Sequence, residues 1–183
     1  MIADNSSLPR EIIAKGGLSQ PIEIQNLHKF KIIESYANYF NMLTLYFFGR
    51  VVEQYFAAVF GSQTGILLYV ILYVSALAVS TVGDLFKFRN NPLYSAVGAS
   101  GAVSAVLFAS ILFEPKMGIY IYLIPIPVPG FVFAPLYLLY CWYMAKRGTD
   151  NIGHSAHLWG AVYGLVFPLI CNPAIFKYFL SQF

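Results

Sequence analysis

Two apolar stretches decide the fold of this chain: Gly98-Ala99-Ser100-Gly101-Ala102-Val103-Ser104-Ala105 and Ala156-His157-Leu158-Trp159-Gly160-Ala161-Val162-Tyr163-Gly164. Each contains one side chain that can take part in catalysis, Ser100 or His157, among small residues. A polar side chain in a lipid-facing segment is costly, so it usually faces the interior of a helix bundle. Small residues let two helices approach closely. The pattern therefore predicts that Ser100 and His157 meet in a dry site.

The composition is that of an integral membrane protein. Of the 183 residues, 58% are hydrophobic and only 10% are charged, whereas soluble domains carry about 25% charged residues. The mean hydropathy is +0.66. The net charge of +3 comes with no basic cluster, which argues against nucleic acid as a partner. The N-terminus has no short apolar core before a cleavage site, so we expect no signal peptide.

Five apolar segments follow a polar N-terminal arm, and we name them A to E. They cover about residues 36–60, 64–83, 96–113, 131–145 and 154–172. Backbone groups in lipid must be satisfied internally, so the predicted fold class is all-α, a polytopic bundle of about five transmembrane helices. We expect a multi-pass protein in contact with the lipid bilayer of an inner or plasma membrane.

A proline run separates segments C and D. Pro125, Pro127 and Pro129 occupy alternate positions of the sequence Ile124–Gly130. Proline lacks an amide hydrogen and clashes with the preceding helical turn, so a helix is forbidden there. We predict an extended apolar stretch that lies at a membrane face.

Ser100 can be interpreted in two ways. A serine in a Gly/Ala ridge is commonly a packing residue that bonds to its own helix. The sequence Gly98-Ala99-Ser100-Gly101 is not the nucleophile elbow of soluble hydrolases, which needs Gly-x-Ser-x-Gly after a strand. Ser100 instead falls at the start of a predicted helix. Free amide groups and the positive end of the helix dipole lie there and suit a developing oxyanion.

His157 is placed to contact a neighbouring helix. A lone buried histidine is more often a core residue than a catalytic one. However, Gly160 and Gly164 follow it at a spacing of four and form a flat, close-packing face. A neutral imidazole on that face can accept the Ser100 hydroxyl proton. Since no acidic residue is an obvious third member, we predict a Ser–His dyad rather than a triad.

Asn41 is the third polar residue of interest, in segment A. Asparagine in a membrane helix often forms interhelical hydrogen bonds, and that role is as good an interpretation as any other. Its amide can alternatively donate to an oxyanion. Both interpretations remain open from the residues alone.

No metal, cofactor or disulfide is expected. Cys141 and Cys171 both lie in apolar segments, where buried thiols are most simply packing residues. His154 and His157 share a helical face, but only His28 is left as a further histidine, so no metal-ligand set stands out.

These residues resemble the rhomboid family of intramembrane serine proteases. The resemblance covers roughly residues 39–172 and rests on three motifs in separate apolar segments. The motifs are Gly98-Ala99-Ser100-Gly101, the stretch from Ala156 to Gly164, and the spacing Asn41, Gly49, Glu53. Each motif is weak alone, but the three in the right order form a fairly specific signal.

The resemblance implies a function and a site. Ser100 would be the nucleophile, and His157 would be the general base and then the general acid. Asn41 and the Ser100 backbone amide would stabilise the oxyanion, in a six-helix core that opens to the extracytoplasmic side. Segment D would be a mobile gate, and the substrates would be single-span membrane proteins. The small residues that pack helices around the site are Gly98, Gly101, Gly160 and Gly164.

The chain also departs from the family pattern. We divide it into a polar arm (1–35), a rhomboid-like transmembrane domain (36–175) and a short C-terminal tail (176–183). The arm contains no apolar span, so the family's first transmembrane helix is apparently lacking. Ala37 stands where family members commonly carry a histidine, four residues before the asparagine.

The charges conflict with the orientation that the family implies. With five spans, most basic residues fall on one side, which the positive-inside rule assigns to the cytoplasm. The family pattern puts the loops of that side outside. The residues of the basic side are Arg10, Lys15, Lys29, Lys31, Lys87, Arg89, Lys146 and Arg147, against Lys116 and Lys177 on the other.

Two rival function classes remain. One is a rhomboid-like pseudoprotease that binds transmembrane helices without cleaving them, which Ala37 and the lacking first helix favour. The other is a small transporter, in which broken helices at the membrane midplane are expected. The proline run lies between spans and segments B to E contain no charged residue on a pathway, so the transporter has the least support.

Overall fold

The computed structural model describes residues 24–88, 99–121, 124–147 and 153–183. These residues form six helices and one antiparallel pair of strands, and the predicted all-α bundle is confirmed. The elements are α1 (Ile24–Phe60), α2 (Ser62–Phe88), α3 (Ser100–Phe113), β1 (Gly118–Ile121), β2 (Ile124–Pro129), α4 (Gly130–Arg147), α5 (His154–Cys171) and α6 (Ala174–Ser181).

Helix α3 is the central element of the bundle. Of its 14 residues, all except Ser100 and Leu107 are buried. It packs most extensively against α5, and α2 contacts both of these helices. A helix that is apolar all round must be surrounded by other elements, which is the position that α3 occupies.

The two ends of α3 pack differently. Its first turns carry glycine and alanine, whereas its last residue, Phe113, lies in an aromatic cluster. The Phe113 ring stacks on Tyr55 of α1 with a centroid distance of 4.3 Å, and Phe56 meets it edge-on at 5.6 Å. Large aromatic side chains bury much apolar area, so this end anchors α1 to the bundle.

The proline run is extended, as predicted, and it also pairs with a second strand. Strand β2 lies antiparallel to β1, with Gly118 opposite Pro129 and Ile119 opposite Val128. The backbone amides of successive strand residues point to opposite edges of the strand. Prolines at alternate positions therefore leave intact the amides that face the partner strand. The Gly130 amide lies on that same edge and donates to the Met117 carbonyl at 2.9 Å. The sequence did not predict the partner strand.

Three helix boundaries differ from the sequence prediction. Helix α1 begins at Ile24, inside the region interpreted as a polar arm, because the chain after Pro21 contains no proline to break a helix until after Phe60. The predicted tail after residue 175 is mostly helical, since α6 begins directly after Pro173. Helix α2 also continues to Phe88, through the first residues of the loop expected from Asp84 to Pro92. Residues 1–23 and 89–98 lie outside the described residues.

Contacts divide the chain into two units, Met1–Phe40 and Asn41–Phe183. In the first unit, the described end of α1 exposes the aromatic side chains of Tyr36, Tyr39 and Phe40. The second unit contains the rest of α1 and all the other described elements.

Among the described helices, one segment alone is long and apolar enough to cross a membrane: Ser62–Val82 of α2. Helices α5 and α6 pass the same test only as a pair, with a bend of 113° between them. Helix α3 is apolar but shorter. The five spans expected from the sequence therefore stay a prediction.

Candidate active site

Ser100 and His157 come together at one end of the bundle. Ser100 is the first residue of α3, and His157 lies in the first turn of α5. The Nε2 atom of His157 lies 2.9 Å from the Ser100 Oγ, although 57 residues separate them in sequence. This is the distance that a nucleophile and its general base require. Both side chains are half-buried.

Glycines bring α3 and α5 backbone to backbone beside the dyad. A Cβ atom at Gly160 would overlap the backbone of Gly101, and one at Gly164 would overlap the backbone of Ala105. Gly101 also faces α2, where a Cβ would lie 2.5 Å from the Cβ and Oγ of Ser80. These contacts are the close approach that small residues allow. Gly98, the fourth glycine predicted to pack there, lies outside the described residues.

The start of α3 presents amide groups next to the Ser100 hydroxyl. The first amides of a helix have no acceptor inside it, and the helix dipole gives this end a partial positive charge. The Val103 amide donates to the Ala99 carbonyl at 2.9 Å, which closes the first described turn of the helix. The Ser104 hydroxyl donates to the Ser100 carbonyl at 3.0 Å, so Ser104 serves its own helix rather than the dyad.

Asn41 is not joined to the dyad by a hydrogen bond in the residues that the structure describes. It lies half-buried in α1, and its predicted role as an oxyanion donor stays a prediction. Further along α1, Gly49 is buried against the Tyr69 hydroxyl, and Glu53 is exposed. Over the same described ranges, no carboxylate is hydrogen-bonded to His157, and the dyad stays a prediction.

A cysteine that the sequence pattern did not indicate lies beside the dyad. The ligand-capable atoms of Cys141 in α4, His154 and His157 all lie within 4.8 Å of one another. The His154 ring is perpendicular to that of His157, with centroids 6.3 Å apart. The pairing of the two histidines was visible in their spacing, but Cys141 comes from another helix. Only the rotation of α4 about its axis decides that Cys141 faces them.

A second missed contact ties α5 to α2. The Tyr163 hydroxyl donates a hydrogen bond to the Ser75 Oγ at 2.7 Å. Ser75 in turn donates to the backbone of its own helix. The bond ties α5 to α2 at a position six residues after His157 along α5. No local sequence signal pairs a tyrosine with a serine in a distant segment.

Comparison with known proteins identifies the family. The family model of the Rhomboid domain matches residues 38–174, a range that includes Asn41, Ser100 and His157. RHOMBOID-like protein 12, mitochondrial, from Arabidopsis thaliana is 31% identical over an alignment of 128 residues. The alignment covers 66% of this chain and 38% of that protein. This chain therefore spans well under half the length of that relative.

No solved structure matches the chain. The Rhomboid domain match nevertheless covers most of the sequence, and it begins and ends close to the limits of the resemblance that the three motifs indicated. The resemblance is thereby confirmed, and the chain belongs to the rhomboid family, a membrane-associated family.

Proposed function

We propose that this chain is an intramembrane serine endopeptidase that cleaves transmembrane segments of membrane proteins with a Ser100–His157 dyad. The observation that carries the proposal is the 2.9 Å distance between the His157 Nε2 and the Ser100 Oγ. A packing serine commonly bonds to the backbone of its own helix instead. A nucleophile and its base depend on the contact between them.

The first chemical step is acylation of Ser100. With the proton of the neutral imidazole on Nδ1, the Nε2 atom accepts the hydroxyl proton while the Oγ attacks the scissile carbonyl carbon. The carbonyl oxygen becomes an oxyanion, which the Ser100 amide and the start of α3 stabilise. The Asn41 amide is the further donor that family membership suggests.

The second half of the reaction returns the enzyme to its starting state. The protonated His157 gives its proton to the departing amine nitrogen, and the peptide bond breaks to leave an acyl-serine. A water molecule then loses a proton to Nε2 and attacks the ester, which releases the acid product and restores the hydroxyl. Both side chains are partly exposed, which leaves space beside the dyad for that water.

The length of α3 supports a site below the membrane surface. Its 14 residues extend about 21 Å, whereas the hydrocarbon core of a bilayer is about 30 Å thick. If the Phe113 end lies near one face, Ser100 falls inside the hydrocarbon region rather than at the opposite face. A peptide bond that reaches Ser100 must then belong to a segment within the membrane.

The outer face of α2 supports contact with lipid. Its exposed side chains are apolar over several turns, and an apolar surface of this kind marks a membrane or protein contact. The residues concerned are Ile66, Leu67, Val70, Ile71 and Val74. We propose a multi-pass protein of an inner or plasma membrane, and the name of the Arabidopsis relative adds a mitochondrial membrane to the choice.

Labelling with a fluorophosphonate probe in liposomes tests the dyad directly. We expect the wild-type chain to be labelled, and Ser100→Ala and His157→Ala to lose at least about 10³-fold in labelling rate. Ser104→Ala is the matched control, because that hydroxyl lies one turn further along α3 and bonds to the helix backbone. It should be labelled at the wild-type rate.

Cleavage of a single-span membrane substrate is the second readout. We expect it to depend on Ser100 and His157 in parallel with labelling. Labelling or cleavage that persists in Ser100→Ala would contradict the proposal. Thermal unfolding of each variant in detergent separates loss of chemistry from loss of the fold.

A pseudoprotease that holds transmembrane helices without cleaving them is the second candidate. Two observations favour it: Asn41 forms no hydrogen bond with the dyad in the described residues, and Ala37 replaces the family's histidine. Under this hypothesis the folded wild-type chain stays unlabelled but still cross-links to an apolar single-span peptide in liposomes. Turnover that requires both Ser100 and His157 would exclude it.

A further inference from the structure

One cluster of side chains joins His157 of the dyad to two residues, Cys141 and His154, that have no part in the proposed reaction. Cys141, His154 and His157 bring one sulfur and two imidazoles together, with ligand-capable atoms within 4.8 Å of one another. Cys141 is completely buried, and His154 is 4% exposed. A thiol and two imidazoles are the donors that zinc and the softer transition metals prefer.

The fold directs these three side chains to one point. His154 and His157 are three residues apart on α5, so they share a helical face. Cys141 is one of two buried residues of α4, with Gly130, and α4 packs against α5. The Tyr140 ring meets His154 edge-on at 5.4 Å and holds that imidazole in the interface.

We propose that Cys141, His154 and His157 form a binding site for a zinc-like transition-metal ion that switches off the Ser100–His157 dyad. The inhibitory part of this inference rests on the proposed protease function. The binding part rests only on the donor set and its geometry.

The distances require a small contraction. Zinc bonds of 2.0–2.3 Å in tetrahedral geometry place ligand atoms roughly 3.5 Å apart, so atoms now within 4.8 Å must close by about 1 Å. The α4–α5 interface can supply this movement, because it contains an open apolar cleft lined by Leu138, Leu139, Trp142, Leu158 and Val162. Three protein ligands leave a fourth position for water or the Ser100 hydroxyl.

Metal binding removes the general base whichever nitrogen of His157 is used. If Nε2 binds the metal, its lone pair is no longer available to Ser100. If Nδ1 binds the metal, the imidazole proton must move to Nε2, which can then only donate to the Ser100 Oγ. The Cys141 thiol loses its proton to solvent as the metal–sulfur bond forms.

Binding is tested first, without reference to activity. The full chain in detergent is titrated with Co²⁺, and thiolate coordination is followed by its charge-transfer absorption, then displaced with Zn²⁺. We expect one ion per chain, with the thiolate band lost in Cys141→Ser. His154→Ala should weaken binding by at least about 10-fold, since even second-shell partners of a metal contribute that much.

Cys171→Ser is the matched control. Cys171 is a free, half-buried thiol at the far end of α5, so its loss should leave the cobalt spectrum unchanged. A folded wild-type chain that binds Co²⁺ without a thiolate band, or a band that disappears only in Cys171→Ser, would overturn the site.

Inhibition is tested second, by fluorophosphonate labelling of Ser100 with and without Zn²⁺. We expect Zn²⁺ to suppress labelling of the wild-type chain at least about 10-fold, a chelator to restore it, and Cys141→Ser to be labelled equally with and without Zn²⁺. Equal suppression in Cys141→Ser would overturn the inhibitory role. If the metal-free wild type is not labelled at all, the protease proposal fails, and the cobalt spectrum still decides the site.

Discussion

Helix α5 packs in two different ways on its two sides. Against α3 it lies backbone to backbone, with Gly160 on Gly101 and Gly164 on Ala105. Against α4 it leaves a cleft lined by Leu138, Leu139, Trp142, Leu158 and Val162. One helix therefore has a side with no space for a methyl group and a side that borders an open surface cleft.

The difference indicates which of the two interfaces sets the distance between Ser100 and His157. The 2.9 Å contact between His157 and Ser100 spans the tight interface, where backbones fix the distance between the helices. Side-chain contacts at the α4 interface leave more freedom, since large apolar groups there remain partly exposed. Close packing resists changes in volume, whereas a loosely filled interface tolerates them. Two substitutions test this contrast, and a third tests the contact between α5 and α2.

Gly160→Ala should have the largest effect. The new methyl group would overlap the Gly101 backbone and push α3 and α5 apart. We expect a loss of about 1–3 kcal/mol in unfolding free energy from overpacking. A displacement of about 1 Å at the dyad should slow fluorophosphonate labelling roughly 10²-fold.

Gly153→Ala is the control for Gly160→Ala. Gly153 has a φ of −73°, and among the described residues a Cβ there would meet only the Ala156 Cβ, at 3.7 Å. Both stability and labelling should stay near wild type. If Gly160→Ala is labelled as fast as Gly153→Ala, the tight interface does not set the dyad geometry.

Tyr163→Phe should have an intermediate effect. It removes the 2.7 Å hydrogen bond from the Tyr163 hydroxyl to Ser75, which ties α5 to α2, and leaves the ring in place. We expect a loss of about 0.5–1.5 kcal/mol in unfolding free energy. A double-mutant cycle with Ser75→Ala measures the pair itself, and a coupling energy of zero would show that the bond contributes nothing.

Leu139→Ala should have the smallest effect. Leu139 lines the cleft and is 62% exposed. We expect a change within about 0.5 kcal/mol in unfolding free energy. The matched substitution Leu72→Ala, in the fully buried core of α2, should cost about 2–5 kcal/mol. Similar losses for both leucines would mean that the cleft is as well packed as the core.

Proline positions and apolar patterns predicted those elements whose ends depend on residues nearby in the sequence. Helix α3 ends at Phe113, before Glu114 and Pro115, and the proline run 124–129 is extended, both as predicted. Helix α6 was missed because Pro173 ends α5 and the short apolar run after it was interpreted as a tail. The strand pair was missed because Gly118–Ile121 becomes a strand only when β2 lies beside it.

The sequence by itself determined the apolar helices, the small-residue faces of α3 and α5, the polar residue on each, and the family. These features depend on composition and spacing along one segment, which a single sequence displays. The tertiary structure alone decided the 2.9 Å dyad distance, the Tyr163–Ser75 bond and the position of Cys141 beside His157. Such contacts depend on how distant helices are rotated and displaced relative to each other, and the packing of the whole bundle sets those variables.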